Sequence, residues 1–320
     1  MKTFLLSALL VISFFSGFTQ INLQTEPAHF TAKGNPIITN KYTADPAAFV
    51  EGDKLWLFAG HDFEGGQKNY KMKDWLVYST SDLKNWTEYP VSMKITDFKW
   101  AKSGDAFAGQ AIKRNGKYYW YISTNWSGIG VGIADKPEGP YLDALGKPLL
   151  TNKDCFDSKH SWACIDPSVF IDNDGQAYIF WGNRECYYAK LKENMIEIDG
   201  EVKRINFDGL DYTEAPWIHK RNNLYYLSYV TGFPEKIAYA TSKSPNGPWV
   251  YKGVLNEIAG NSNTNHQAIL EFKGEWYFIY HNGGIQTDGG SYSRSICIDK
   301  LFYNKDGTIK RIVMTSEGVN

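Results

Sequence analysis

One plan occurs five times along this 320-residue chain: a polar or small residue, an apolar stretch, a tight turn, then an aromatic-rich strand. The copies are DPAAFVEGDKLWLF from Asp45, AGQAIKRNGKYYWYI from Ala108, DPSVFIDNDGQAYIFW from Asp166, EAPWIHKRNNLYYLSY from Glu214 and HQAILEFKGEWYFIYH from His266. Their turns carry GD, NG, DNDG, NN and KG, the residues that hairpins between adjacent antiparallel strands select. In four copies the second strand begins ten positions after the first residue, and in the third copy DNDG adds one more. Further strand-like stretches such as WLVYSTSDLKNW and KIAYATSKSPNGPW follow most hairpins. Roughly four short strands per unit, five units and no helical period predict an all-β, single-domain, five-bladed β-propeller. A β-sandwich is the competing all-β reading, but it offers no reason for a fivefold repeat.

In a propeller the innermost strand of every blade lines a central channel, so equivalent positions far apart in sequence meet in space. Asp45, Asp166 and Glu214 open three of the five copies, which places three carboxylates at one funnel. Two carboxyl groups flanking a glycosidic bond suffice to hydrolyse it, one donating a proton and the other activating water or attacking carbon. The donor must stay protonated near neutral pH, which burial or a neighbouring negative charge achieves. A cage for a structural calcium ion is the alternative use of clustered carboxylates.

The remaining bulk features narrow the class. Residues 1–20, MKTFLLSALLVISFFSGFTQ, have an early lysine, a short apolar run and then small and polar residues, the layout of a secretory signal. The run is too short to span a membrane, so residues 21–320 are expected to be exported, to the periplasm or the cell exterior. The net charge of -1, with both signs interspersed, argues against a nucleic-acid partner, and no protein partner is evident. The aromatic content of 16% suits both β cores and stacking on sugar rings. Cys155, Cys164, Cys186 and Cys297 are too few for a disulfide scaffold, and Cys155 with Cys164 is the shortest closure. No CxxC, HExxH, GxSxG or P-loop motif occurs, which removes the usual support for zinc, serine-hydrolase and nucleotide chemistry.

The motifs ADPAAFV, IDPSVFID and YTEAPWI, in this order, resemble those of glycoside hydrolase family 43, the five-bladed propeller hydrolases. The resemblance implies Asp45 as catalytic base, Asp166 as the residue tuning the acid, and Glu214 as general acid, in an inverting reaction with no glycosyl-enzyme. KSGDAFAGQAIKRNGKYYWYIS, NTNHQAILEFKGEWYFIYHNG and GGSYSRSICIDKLFYNKDGTIK are similar to the branch containing arabinoxylan arabinofuranohydrolases. The implied substrate is arabinoxylan or its xylo-oligosaccharides, stripped of α-L-arabinofuranosyl side chains, with β-xylosidase or bifunctional activity as the alternative. The resemblance also implies that His266 helps hold a channel ion, usually calcium, with no organic cofactor, and that Arg294 binds sugar or a carboxylate. Phe107, Trp75, Trp162 and Trp181 are candidates for sugar stacking. His61 and His281, with their neighbours Asp62 and Asn282, end second strands where loops shape a site.

Two rivals remain distinguishable by sequence. Retaining fructan hydrolases share the fold but expect Arg-Asp-Pro and Glu-Cys, where this chain has Ile165-Asp166-Pro167 and Glu214-Ala215. A non-catalytic glycan-binding propeller needs one of the three acids to be missing, and none is.

Overall fold

Alternating apolar residues, tight turns and β-branched or aromatic strands fold here into five antiparallel sheets arranged in a ring. The structure, a computed structural model, describes residues 26–63, 68–101, 104–124, 128–206 and 211–319. The expected signal segment, residues 1–20, lies outside the described residues. The sheets run in simple up-and-down order, with six, four, four, four and three strands. Among the described residues the helical pieces are two single 3-10 turns, Ile95–Asp97 and Asn152–Asp154. The innermost strands are Tyr42–Glu51, Ala106–Arg114, Ser168–Ile171, Glu214–Arg221 and Gln267–Phe272. Each touches the innermost strand of the next blade, and the fifth returns to the first. The expected five-bladed propeller is what the chain forms.

Neighbouring blades are joined by side-chain amides as well as by apolar packing. Gln110 forms two bonds with the backbone of Val169, donating to its carbonyl at 2.9 Å and accepting from its N–H at 3.0 Å. Gln267 donates to the Ala215 carbonyl at 2.9 Å, and the Trp217 indole donates to that of Ile269 at 2.8 Å. These bonds satisfy polar groups that burial between sheets would otherwise leave unpaired. Aromatic edges fill the wedge between the first two blades, where Phe58 meets Trp120 at 4.8 Å and Trp120 meets Tyr141 at 5.2 Å. All four cysteines are free and buried. The Cys155 thiol accepts from the Trp181 indole at 3.2 Å and shares a hydrogen bond with Cys164.

The last blade has three strands, and the N-terminal segment covers its open edge. Ile37 and Thr43 donate their backbone N–H groups to the carbonyls of Ile296 and Arg294. Asn35 accepts from the Ile298 N–H at 2.8 Å and donates to the Thr315 carbonyl at 2.8 Å, tying both chain ends to one strand. Asn35→Ala is therefore expected to cost about 1–3 kcal/mol, read as a melting temperature lower by roughly 2–6 °C. An unchanged melting temperature would show that the ring closes without this amide.

Candidate active site

Asp45, Asp166 and Ala215 have φ of 50°, 56° and 54°, the left-handed region that non-glycine residues rarely occupy. Each precedes a proline: Pro46, Pro167 or Pro216. In the first blade strand pairing jumps from Ala44↔Gly60 to Ala47↔Phe58, and in the fourth from Glu214↔Val230 to Trp217↔Ser228. Both jumps are bulges, and the proline sits at a skipped position, where its missing N–H costs the ladder nothing. The register also corrects the equivalence read from the repeat. Glu214 corresponds to Ala44, while Ala215 corresponds to Asp45. The ten-residue count aligned Leu224 with Leu55, but Leu224 pairs with Arg221 as Lys54 pairs with Glu51. Glu214 nevertheless lines the same pocket as Asp45 and Asp166.

The three carboxyls differ in charge because one cation serves them unequally. Arg294 donates from Nη1 to Asp45 Oδ1 at 2.9 Å. Its Nε and Nη2 grip the two oxygens of Asp62, each at 2.9 Å, and its backbone N–H adds another 2.9 Å bond. Burial opposes charge on both partners, but the pairing wins. Asp45 is held well below the usual carboxylate range by the Arg294 guanidinium. The Asp45 and Asp62 carboxylates in turn keep Arg294 charged. The His281 tautomer follows from its partners: Nε2 donates to the Thr264 carbonyl at 2.9 Å, leaving Nδ1 to accept from the Asp45 N–H at 3.2 Å.

Glu214 goes the other way. Burial, then the charge of Asp45, pushes it up to about 7, although hydrogen bonds with Glu235 and Asn183 and the charge of Arg184 pull it back. The Asn183 side-chain amide donates to Glu214 Oε2. Asp166 is also raised, by burial and then by Glu214 and Asp45. Its Oδ2 accepts from the Ala215 N–H at 3.1 Å, which fixes the backbone beside Glu214. The anion that raises Glu214 is thus Asp45.

The wall around these acids is aromatic and partly open. Tyr70, Phe107, Trp162, Ile165 and Thr264 line it together with His266 and Arg294. Phe107 and Trp162 lie 5.8 Å apart, centroid to centroid, and the Arg294 guanidinium lies 5.1 Å from the Tyr70 ring centroid. One acid held neutral, one base held ionised and an apolar wall match the needs of glycoside hydrolysis.

The family model for glycosyl hydrolases family 43 matches residues 33–309. The chain belongs to glycosyl hydrolase family 43. It is a glycosidase of that family's xylosidase and arabinofuranosidase type. It is 33% identical to xylosidase/arabinosidase 43A of Humicola insolens, over 86% of this chain and 98% of that protein. An α-L-arabinofuranosidase from Clostridium thermocellum superposes with a TM-score of 0.76 at 36% identity, covering 88% of this chain and 97% of the other. A β-xylosidase/α-arabinofuranosidase from a compost microbial metagenome, solved with xylotriose in a calcium-free form, gives 0.78 at 30% identity, covering 89% and 98%.

Within this family 43 enzyme, the structure separates the residues expected from sequence. Asp45, Asp166, Glu214, Arg294, His266, Phe107 and Trp162 share the pocket, and four others do not line it. Trp75 is buried against Phe98 and Trp120, its indole donating to the Phe107 carbonyl at 2.7 Å, so it supports the wall from behind. Trp181 is fully buried, stacked on Tyr187 and bonded to Cys155. His61 pairs with Asp74 at 2.7 Å, and His281 is buried beneath Asp45. A strand alternates faces, so sequence places an aromatic on the strand but not on the channel side.

Tyr70, Thr264 and Asn183 escaped the sequence reading. Asn183 had a signal, because FWGNR ends a second strand as FAGHD and IYHNG do. Calcium at His266 fits poorly as a protein-built site. Among the described residues no three His, Cys, Asp or Glu side chains are placed to hold an ion. The carboxylate near His266, Asp45 at 3.9 Å, is already bonded to Arg294. Burial lowers the pKa of His266 to about 4, so the chain offers one neutral imidazole.

Trp162→Ala is expected to raise KM about tenfold while leaving the melting temperature nearly unchanged, the size of one lost sugar-stacking contact. Trp181→Ala is expected to lower stability by about 3–5 kcal/mol. Thermal melts and initial rates on both variants check the assignment, and the reverse pattern would restore Trp181 to the sugar site.

Proposed function

We propose that this glycosidase is an exported, exo-acting, inverting α-L-arabinofuranosidase that removes side chains from arabinoxylan or its oligosaccharides. The observation carrying the reading is the opposite charge preference of two acids in one pocket: Asp45 ionised against Arg294, and Glu214 protonated up to about 7. Asp45 takes a proton from water as the water attacks the anomeric carbon. The bond to the leaving oxygen breaks, and Glu214 gives that oxygen its proton. Asp166 holds the backbone at Ala215 and so the direction of Glu214. Phe107 and Trp162 exclude water and offer a face to the sugar ring. The Clostridium thermocellum relative, named an α-L-arabinofuranosidase, supports the choice of arabinose. The relative solved with xylotriose favours β-xylosidase or dual activity as the second reading.

Proton NMR during hydrolysis of a defined arabinoxylo-oligosaccharide tests the proposal. The expected first product is arabinose with inverted anomeric configuration, while xylose release or net retention would overturn it. The rate is expected to fall about tenfold per pH unit above pH 7, as Glu214 loses its proton, with no matching acidic limb from Asp45 in the ordinary carboxylate range. Asp45→Asn and Glu214→Gln are each expected to lower kcat on the oligosaccharide by about 10²–10⁴. Residues 1–20 as an export signal would appear as a mature N-terminus near residue 20, read by mass spectrometry of the secreted protein.

None of these steps is assigned to calcium. A hydrated ion held mainly by water, with His266 as its one protein ligand, is the arrangement the residues fit. Calcium chloride is expected to raise the melting temperature by roughly 1–2 °C through mass action, and this gain should vanish in His266→Ala.

A further inference from the structure

Glu235 is a fourth buried carboxyl beside the reaction centre, and the chemistry above does not use it. It lies in the turn closed by the Thr231↔Lys236 pair, between the second and third strands of the blade that carries Glu214, and is 2% exposed. Its backbone N–H donates to the Asn263 carbonyl at 3.0 Å, and its Oε2 accepts from the Asn265 N–H at 2.8 Å. The side chain is thus clamped between the fourth blade and the segment preceding the fifth. Its carboxyl shares a hydrogen bond with that of Glu214. Two carboxylates offer only acceptors, so this bond exists only while a proton lies between them.

The surroundings favour Glu235 as the keeper of that proton. Burial, then the neighbouring Glu214 and Asp166, raise Glu235 well above the usual carboxylate range. Asp45 and Arg184 act on the Glu214 side of the pair, and Tyr70 feels both glutamates. The adjacent Lys236 is engaged with Glu257 at 2.8 Å, and Arg294 is occupied by Asp45 and Asp62. Glu214, once ionised, would then face two donors, the Asn183 amide and the Glu235 hydroxyl. O–H···O⁻ bonds, in which one partner is ionised, are among the stronger hydrogen bonds available to a protein.

We propose that Glu235 is a proton-holding positioning residue for Glu214: its hydroxyl orients the acid and stabilises the carboxylate left when the Glu214 proton passes to the departing sugar oxygen. The proposal rests on Glu214 being the general acid. In the step itself the Glu214 O–H breaks, its proton joins the leaving oxygen, and that oxygen takes the electron pair of the severed glycosidic bond. The Glu235 proton stays in place and is not consumed. Glu214 regains its proton from solvent once the products depart.

The test compares wild type, Glu235→Gln, Glu235→Ala and Glu214→Gln on two substrates. One is the 4-nitrophenyl pentoside, whose leaving group needs little protonation, and the other is an arabinoxylo-oligosaccharide, whose sugar alkoxide needs a full proton. Glu235→Ala is expected to lose about 10–100-fold more kcat on the oligosaccharide than on the aryl glycoside. Its basic limb should move to higher pH, because the Glu214 anion has lost a donor. Glu235→Gln keeps the shape and an N–H donor, so it should recover most of the rate, with the basic limb within about half a unit of wild type. Equal loss on both substrates, or a basic limb displaced to lower pH in Glu235→Gln, overturns the proposal, the latter because it marks Glu235 as an anion. Melting curves of the isosteric Gln variant separate these outcomes from misfolding. When Glu214→Gln is substrate-selective and Glu235→Ala is not, the proposal alone falls. When Glu214→Gln slows both substrates equally, the assignment of the acid falls first and takes the proposal with it.

Discussion

Arg294 stands just before the outermost strand of the last blade, yet its guanidinium is spent mainly on the two carboxylates of the first. It binds Asp62 through both carboxylate oxygens and reaches Asp45 with its remaining nitrogen, all at 2.9 Å and nearly out of contact with solvent. Such a cluster adds little net stability, because desolvating the charges offsets most of their attraction. Removing one member is the costly event, since it strands a buried charge. The contact therefore acts as a selective lock between the ends of the ring. It also decides which carboxyl carries charge. Asp45 has the cation and is ionised, whereas Glu214 and Asp166 are raised by burial and by the anions near them.

A second constraint lies in the backbone. The bulges at Asp45 and Ala215 place an unpaired residue and a proline where the strand meets the pocket. Left-handed geometry at a non-glycine residue costs on the order of 1–3 kcal/mol, which surrounding structure must hold in place. The Asp45 N–H is received by His281, and the Ala215 N–H by Asp166. The groups that fix the strained backbone are thus the ones that surround the reacting carboxyls. Loss of Asp166 would disturb the aim of Glu214, because the Ala215 N–H would lose its acceptor.

The turns between second and third strands complete the arrangement. Asp62 in the first blade, Asn183 in the third and Glu235 in the fourth each reach inward from such a turn or from the strand end beside it. Each bonds to a group of the site or to its supporting backbone. The carboxyls proposed to react lie on or just before the innermost strands, and groups from the next connection outward bond to them or to the backbone and cation that hold them. FAGHD and IYHNG drew attention in sequence because histidine is conspicuous. FWGNR and TGFPEK occupy comparable places with ordinary residues, and nothing in their composition marks them.

Much of the fold was legible because a fivefold repeat with hairpin turns has few other solutions, and the three acids stood out because carboxylates are rare at the mouths of apolar strands. The aromatics were not legible to the same degree. Trp75, Trp181, Phe107 and Trp162 look alike in one dimension, but the pleat sends the first two into the packing between sheets, while a register shift places Phe107, and a turn before the third blade places Trp162, at the pocket. Sequence by itself determined the propeller and the family and offered three carboxyls for moving protons, because residue type and period specify local backbone and chemistry. Only the tertiary structure decided the one-residue offset of Glu214, the pairing of Arg294 and the contact between Glu214 and Glu235. Those depend on register, burial and distance between blades, which no local stretch of chain encodes.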